Sequence, residues 1–239
     1  YNDPMDNTAN SPEATSWLDR PVFNSLPHFR IESLLITILL MLAIVSRFAI
    51  LGERVMSHDE VNHVIPSFDL YSGIGYEHNP ITHGPIQFHL LALSYFLFGD
   101  SDFTSRIPAA LFSLATIIFV TFAFRKYLGR VGSLIGGFLF TISPYLLFYG
   151  RYTRNEAFVA LYAVVTLWAI LKYLHDGKPI SLYALAIATA LHFATKETSY
   201  IYAAQLLLFL AFIFMERIAR ANWPQPKSRS AFLMSLSGG

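Results

Sequence analysis

The sequence predicts an all-α, polytopic membrane protein, with about six transmembrane helices and interfacial helices in the first external loop. Three observations predict it. Charged residues are 14% of 239, against about 25% in ordinary soluble domains. Hydrophobic residues reach 54%, with 21 Phe and 13 Tyr, and mean hydropathy is +0.44. The apolar residues also gather into six runs of near-spanning length, where a membrane helix needs about 17–25 residues. A net charge of +1 argues against a nucleic-acid partner, which needs a concentrated basic face. With no cysteine, disulfides and thiolate metal sites are excluded.

In chain order, residues 1–30 are polar and rich in Asn, Asp, Ser and Pro, and read as a mobile or surface-lying tail. The six apolar segments are Ser33–Leu51, Ile107–Phe124, Val131–Tyr149, Ala157–Leu174, Ile180–Ala194 and Tyr200–Met215. Together they make a membrane domain over 31–216, with a long loop at 52–106. Within that loop, "PIQFHLLALSYFLFG" has an apolar core, Phe88–Phe98, too short to span, and reads as interfacial or re-entrant. With that helix off the membrane path, Arg20, Arg30, Arg125, Lys126, Arg130, Lys172, Lys178 and the basic stretch after Met215 share one side. The positive-inside rule makes that side cytoplasmic, in a multi-pass protein expected in the plasma membrane. Residues 217–239 are then a cytoplasmic basic segment. The apolar "AFLMSL" within it reads as the start of a further helix, and the chain is expected to be a fragment of a longer protein.

The same assignment gathers the unusual charges on the external face. "MSHDEVNHVIPS" places Asp59 and Glu60 just after the first span, flanked by His58 and His63. Adjacent helical residues point about 100° apart, so the two acids cannot serve one ligand equally. A carboxylate near apolar surroundings suits a general base. The plainer reading is a helix start, with Ser57 as N-cap and Glu60 completing a capping box. His-Asp-Glu-x-x-His is also a tolerable ligand set, so a divalent cation is admitted but not required.

"EHNPITHGPIQFH" is a Pro- and Gly-punctuated turn. Its histidines, His78, His83 and His89, lack a one-face spacing, and His83 before Gly-Pro is best placed to face a polar ligand. "YGRYTRNE" puts Arg151, Arg154 and Glu156 at the external ends of the third and fourth segments, where arginine should be scarce. Guanidiniums there call for an anion, or for pairing with Glu156 or Asp59. Lys196 and Glu197 sit at the end of the fifth segment, the lysine as a phosphate ligand or a snorkelling side chain. Arg47 and Arg106 are further candidates. No P-loop, dinucleotide fingerprint or G-x-S-x-G elbow is present. One acidic pair and several cations at membrane depth suit an anionic lipid substrate held by its phosphate.

Asp59–Glu60, His83-Gly84-Pro85, Phe98-Gly99 with Arg106 and Pro108, Ser143-Pro144 with Arg151 and Arg154, and Lys196 follow a familiar order. Over roughly Ile31 to Met215 the chain resembles the GT-C membrane glycosyltransferases. Within them it is most similar to the dolichyl-phosphate-mannose protein mannosyltransferase and aminoarabinose transferase branch, and there to the flippase activity-associated group. The resemblance implies a GT-C membrane domain, a polyprenyl-phosphate sugar donor and inverting transfer to an acceptor hydroxyl. It implies Asp59 as general base, with Glu60 in the catalytic pair either orienting Asp59 or binding a sugar hydroxyl. Arg151, Arg154, Lys196 and His83 would hold the donor phosphate, with His58, Arg106, Glu156 and Glu197 supporting. His83 stands where relatives often carry Lys. Two other readings remain: a non-catalytic subunit of a larger membrane complex, and a lipid-linked sugar transporter or flippase-associated protein.

Overall fold

Among the described residues, four helices are long and apolar enough to cross a membrane: α1 (Ile31–Phe48), α4 (Asp102–Ala123), α7 (Glu156–Asp176) and α9 (Ser199–Arg220). The computed structural model describes residues 16–23, 26–77, 83–223 and 226–237. These divide into two units, Tyr1–Lys196 and Glu197–Gly239.

In the first unit, α1, α4 and α7 pack with α5 (Arg125–Ile142) and α8 (Pro179–Phe193). Leu39 and Ala43 of α1, Ala109, Ala110 and Ile117 of α4, and Phe158, Ala169 and Ile170 of α7 are buried in this core. Close approach depends on Gly137 of α5. A Cβ there would meet Thr121 Oγ1 of α4 at 2.2 Å and Leu39 of α1 at 2.9 Å, so only glycine admits this spacing.

One expected span comes out divided and another, with the length expected of it, is too short to cross. The segment Val131–Tyr149 is divided at Ser143, between α5 and α6 (Pro144–Tyr149). Pro144 has no N–H for the Phe140 carbonyl, so the ladder stops there. The buried Arg47 of α1 donates to that carbonyl instead, Nη2 to Phe140 O at 3.0 Å, and Nη1 to Thr141 O at 2.7 Å. α8 has 15 residues between Pro179 and Phe193, about 22 Å of helix against a hydrocarbon core of about 30 Å.

The loop between α1 and α4 carries α2 (His58–Ser72) and α3 (Ile86–Phe98). α2 starts at Ser57, where Ser57 and Glu60 complete the capping box, and stops at Gly73, left-handed at φ 85°. α3, with 13 residues, is shorter than a span. It docks on α4 through a proline. Pro108, inside α4, cannot donate to the Thr104 carbonyl, and Ser94 Oγ of α3 donates to it at 2.7 Å. Tyr95 and Ser105 hydroxyls bond beside it at 2.7 Å.

At the opposite end of these helices, a 3-10 turn (Trp17–Asp19) and a two-stranded hairpin, β1 (Pro21–Phe23) and β2 (Leu26–Arg30), lead into α1. Residues 1–15 of the expected tail lie outside the described residues. The remainder is anchored: Leu18 is fully buried, and Arg130 donates to Asp19 at 2.7 and 2.8 Å and to Glu32 at 2.6 Å. Lys126 pairs with Asp176 at the same end.

In the second unit α9 is followed by α10 (Pro226–Ser237), which contains "AFLMSL". Trp223 donates from Nε1 to Ile218 O at 3.3 Å and packs on Phe232.

The proline-gated contact between α3 and α4 gives a test. Ser94→Ala leaves the Thr104 carbonyl without a donor and is expected to lower stability by about 1–3 kcal/mol. In a Pro108→Ala background the helix supplies that donor itself, so the same substitution is expected to cost well under half as much. Denaturant titration of the solubilised protein through the double-mutant cycle measures the difference.

Candidate active site

The charged residues singled out in the sequence meet where the segment 150–156, between α6 and α7, passes the start of α2. Glu60 is the fixed point. Its side chain is fully buried and accepts five hydrogen bonds. Arg106 of α4 donates from Nε to Oε1 at 2.9 Å and from Nη2 to Oε2 at 3.2 Å. Arg54 donates to Oε2 at 2.7 Å, the Ser57 N–H to Oε2 at 3.1 Å and the Thr153 N–H to Oε1 at 3.2 Å. Burial pushes the Glu60 carboxyl up, but the Arg106 guanidinium and the Ser57 and Thr153 amides outweigh it and hold the group below its ordinary value. Arg106, equally buried, spends Nη1 on Leu51 O at 2.9 Å. Every strong acceptor position of Glu60 is occupied from within the protein. Its acceptor capacity, about four lone-pair sites, is met by internal donors.

Asp59 is rotated about 100° from Glu60 around the helix and its side chain is 51% exposed. Arg154 donates from Nη1 to Asp59 Oδ2 at 2.7 Å. Arg154 Nε lies 3.7 Å from Glu156 Oε2, and Lys196 donates to Glu156 Oε1 at 2.6 Å. Asp59, Arg154, Glu156 and Lys196 thus form one chain of alternating charge, linking α2, the start of α7 and the end of α8. The internal pairing open at the sequence level is realised for Arg154. The 3.7 Å contact is longer than a hydrogen bond. Arg154 Nε and Glu156 Oε2 are buried and have no hydrogen-bond partner.

His63 lies one turn after Asp59, and its Nδ1 faces the Asp59 carbonyl at 2.9 Å. Nδ1 must therefore carry the proton, which leaves Nε2 to accept from Asn155 Nδ2 at 3.4 Å. Burial lowers the His63 basicity, the Asp59 carbonyl opposes this, and the nearby Arg154 and His83 lower it further. The ring stacks on Phe88. His83 is left-handed at φ 73°, in a turn that docks on the end of α8. Gly84 N–H donates to Thr195 O at 3.0 Å and Ile86 N–H to Ala194 O at 3.3 Å. A Cβ at Gly84 would meet the Ala194 carbonyl at 2.1 Å, so glycine is required for the dock. His83 is thereby set beside the residue that precedes Lys196.

Arg151 takes a different position. Its guanidinium donates to Ser46 O and Ala49 O, both at 2.8 Å, at the end of α1, outside the Asp59–Lys196 chain. His58 is exposed at the first position of α2, and Glu197 opens the second unit, also exposed. His78 and Pro80 lie outside the described residues. His58, Asp59, Glu60 and His63 diverge, with Glu60 turned into the core. No group of three His, Asp or Glu residues among the described ones is arranged to hold a metal ion.

Sequence reasoning passed over Arg54, Thr153 and Asn155. Arg54 carried a usable signal, being another arginine on the basic-poor side. Thr153 carried none, since it acts through its backbone N–H. Gln87, at the start of α3, is fully buried, and neither amide atom has a hydrogen-bond partner.

The class defined is a multi-pass helical membrane protein that keeps one acid exposed at the head of a loop helix and holds its neighbour in the core. The dolichyl-phosphate-mannose-protein mannosyltransferase family matches residues 82–236, more than half of the chain, and the protein belongs to that family, a GT-C-type family of membrane glycosyltransferases. The matched region includes His83, Arg106, Arg151, Arg154, Glu156 and Lys196. Asp59 and Glu60 precede it. Comparison with curated proteins and with solved structures returned no match.

Glu60→Ala strands the buried Arg106 and is expected to cost about 3–5 kcal/mol. Asp59→Asn, at a half-exposed position, is expected to change stability by less than about 0.5 kcal/mol. Thermal unfolding of the solubilised variants separates the two. Acid sensitivity has a defined sign. Both His63 and Glu60 lie below their ordinary values of 6.5 and 4.5, so each favours the deprotonated form in the fold. Stability is expected to fall below about pH 6.5, as the unfolded chain protonates His63 first, and again below about pH 4.5 through Glu60. His63→Phe is expected to shrink the first step and leave the second unchanged, read as unfolding midpoint against pH.

Proposed function

We propose that the protein transfers a sugar from a polyprenyl-phosphate donor to an acceptor hydroxyl at the external membrane face, with inversion, and that Asp59 is the general base. The single observation that carries this reading is the division of labour within one acidic pair. Glu60 is saturated by internal donors, and Asp59 is held beside it with its carboxylate open to the outside. The family implies the lipid-phosphate donor and the membrane setting, and the residues present suit that chemistry.

Asp59 takes the proton of the acceptor hydroxyl as its oxygen attacks the anomeric carbon. The bond from that carbon to the phosphate oxygen breaks, and the electron pair leaves with the lipid phosphate. A phosphate leaving group needs no general acid, only positive charge at the departing oxygen. Lys196 and Arg154 supply it, with His83 at the docked turn beside them. Attack and departure take opposite faces of the sugar. Lys196 suits the departure side, since it reaches Asp59 only through Arg154 and Glu156. Arg154 faces both ways: its Nε has no hydrogen-bond partner within the protein, and a phosphate accepting from it weakens its hold on Asp59. Donor binding in this scheme frees the base.

The test is transfer from a polyprenyl-phosphate sugar donor in membranes. Asp59→Asn is expected to lower turnover by about 10²–10⁴-fold while donor binding is kept. Lys196→Gln is expected to weaken donor binding as well as turnover. Undiminished transfer by Asp59→Asn removes Asp59 as the base.

A further inference from the structure

A second cationic position lies on the other side of the 150–156 segment. Arg54 and Arg151, with Leu51, Pro144, Leu147 and Phe148, line a cavity of about 400 Å³, within the size range of ligand sites at about 300–1,000 Å³. Its walls divide by chemistry: four are apolar and two are guanidiniums.

The charge around it is unbalanced. Arg47, Arg54, Arg106 and Arg151 converge on this corner. Among the described residues, Glu60 is the one carboxylate to which any of them donates. Arg47 and Arg151 rest on neutral groups: hydroxyls and carbonyls for Arg47, and the carbonyls closing α1 for Arg151. Both donate to Ser46, Arg47 to its hydroxyl and Arg151 to its carbonyl. Carbonyls at a helix end attract a cation weakly and do not cancel a full charge. This differs from the Asp59–Lys196 chain, where two acids face two bases. Excess positive charge beside apolar surface at a membrane boundary calls for an anion, and guanidiniums suit phosphate.

Two details fit this cavity to an amphiphile. Arg54 is 45% exposed; its guanidinium carbon lies over Tyr152 at 4.8 Å and Phe148 at 5.7 Å, and with Nη2 held by Glu60 the group is positioned while part of it stays accessible. The rim is also strained. Ile50, β-branched, is left-handed at φ 50° and 71% exposed, with Arg151 Nη2 3.5 Å from its carbonyl. Strain of this kind persists where a binding feature requires it.

We propose that this cavity binds a membrane lipid bearing a phosphate on an apolar chain. Arg54 and Arg151 hold the phosphate, and Leu51, Pro144, Leu147 and Phe148 hold the first part of the chain. The site is separate from the Arg154–Lys196 position and does not depend on the transfer reaction. The shared chemistry admits two sources, a free carrier polyprenyl phosphate or an anionic phospholipid of the bilayer.

Dodecyl phosphate is the probe, titrated calorimetrically into the full chain in neutral detergent, with inorganic phosphate and dodecylphosphocholine beside it. Dodecyl phosphate is expected to bind at least tenfold more tightly than either. Arg151→Gln and the cavity-filling Leu147→Trp are each expected to weaken it at least tenfold, the second without altering any charge. Lys196→Gln and Asp59→Asn are expected to leave it within twofold, even where they abolish sugar transfer, so failure of the catalytic reading does not touch this one. Equal binding of inorganic phosphate overturns the proposal, as does unchanged binding by Leu147→Trp, or loss confined to Lys196→Gln. In phosphatidylcholine nanodiscs, displacement of the probe by added polyprenyl phosphate or by phosphatidylglycerol identifies the source. Displacement by neither overturns the proposal.

Discussion

The buried carboxylate of Glu60 is the constraint on which the site depends. It ties four pieces of chain: the end of α1, through Arg106 and Leu51 O; the cap of α2, through Ser57; α4, through Arg106; and the approach to α7, through Thr153. A buried ion pair of this kind contributes little net stability compared with an apolar replacement. Its consequence here is geometric. Once Glu60 is fixed inward, helical geometry turns Asp59 about 100° away, towards the open face. The exposure of Asp59 follows from the burial of its neighbour.

A second regularity is the use of proline to create acceptors. Pro108 and Pro144 each release a carbonyl four residues earlier, and in both cases a side chain from another helix takes it: Ser94 at Thr104, Arg47 at Phe140. Apolar surroundings do not tolerate an unpaired carbonyl. Each proline therefore converts a break in one helix into a directed contact with another. The contact at Phe140 also places a buried arginine near the end of α1. Its positive charge adds to that of Arg151 on that side of the molecule.

Much of the fold was legible in the sequence. The four longest spans were visible as apolar runs, the start of α2 as a capping box, and the shortness of α3 as a run too brief to cross. The break at Ser143–Pro144 was less so, because the residues on both sides are equally apolar and hydropathy does not register a missing N–H. The anchoring of residues 16–30 was also hidden. It rests on Arg130 pairing with Asp19, which lies 111 positions away. In the site, Arg154 and Lys196 were conspicuous as cations where Lys and Arg should be scarce, and Asp59 and Glu156 as acids at the same helix ends. Arg151 looked equivalent to Arg154, yet the two point to different places, since three residues of an irregular turn set no common direction.

The sequence by itself determined that this is a multi-pass helical membrane protein with basic residues biased to one set of helix ends and a group of acids and unusual cations at the other. Those properties follow from composition, periodicity and local capping, which act over a few residues. Only the tertiary structure decided which carboxylate of the Asp59–Glu60 pair is buried and which is open. It also decided that the cations fall into one balanced chain and one unbalanced cavity. The reason is distance along the chain. Besides Arg54 and the Ser57 cap, the groups that hold Glu60 lie 46 and 93 residues away, and local pattern does not show which of two adjacent acids those distant groups reach.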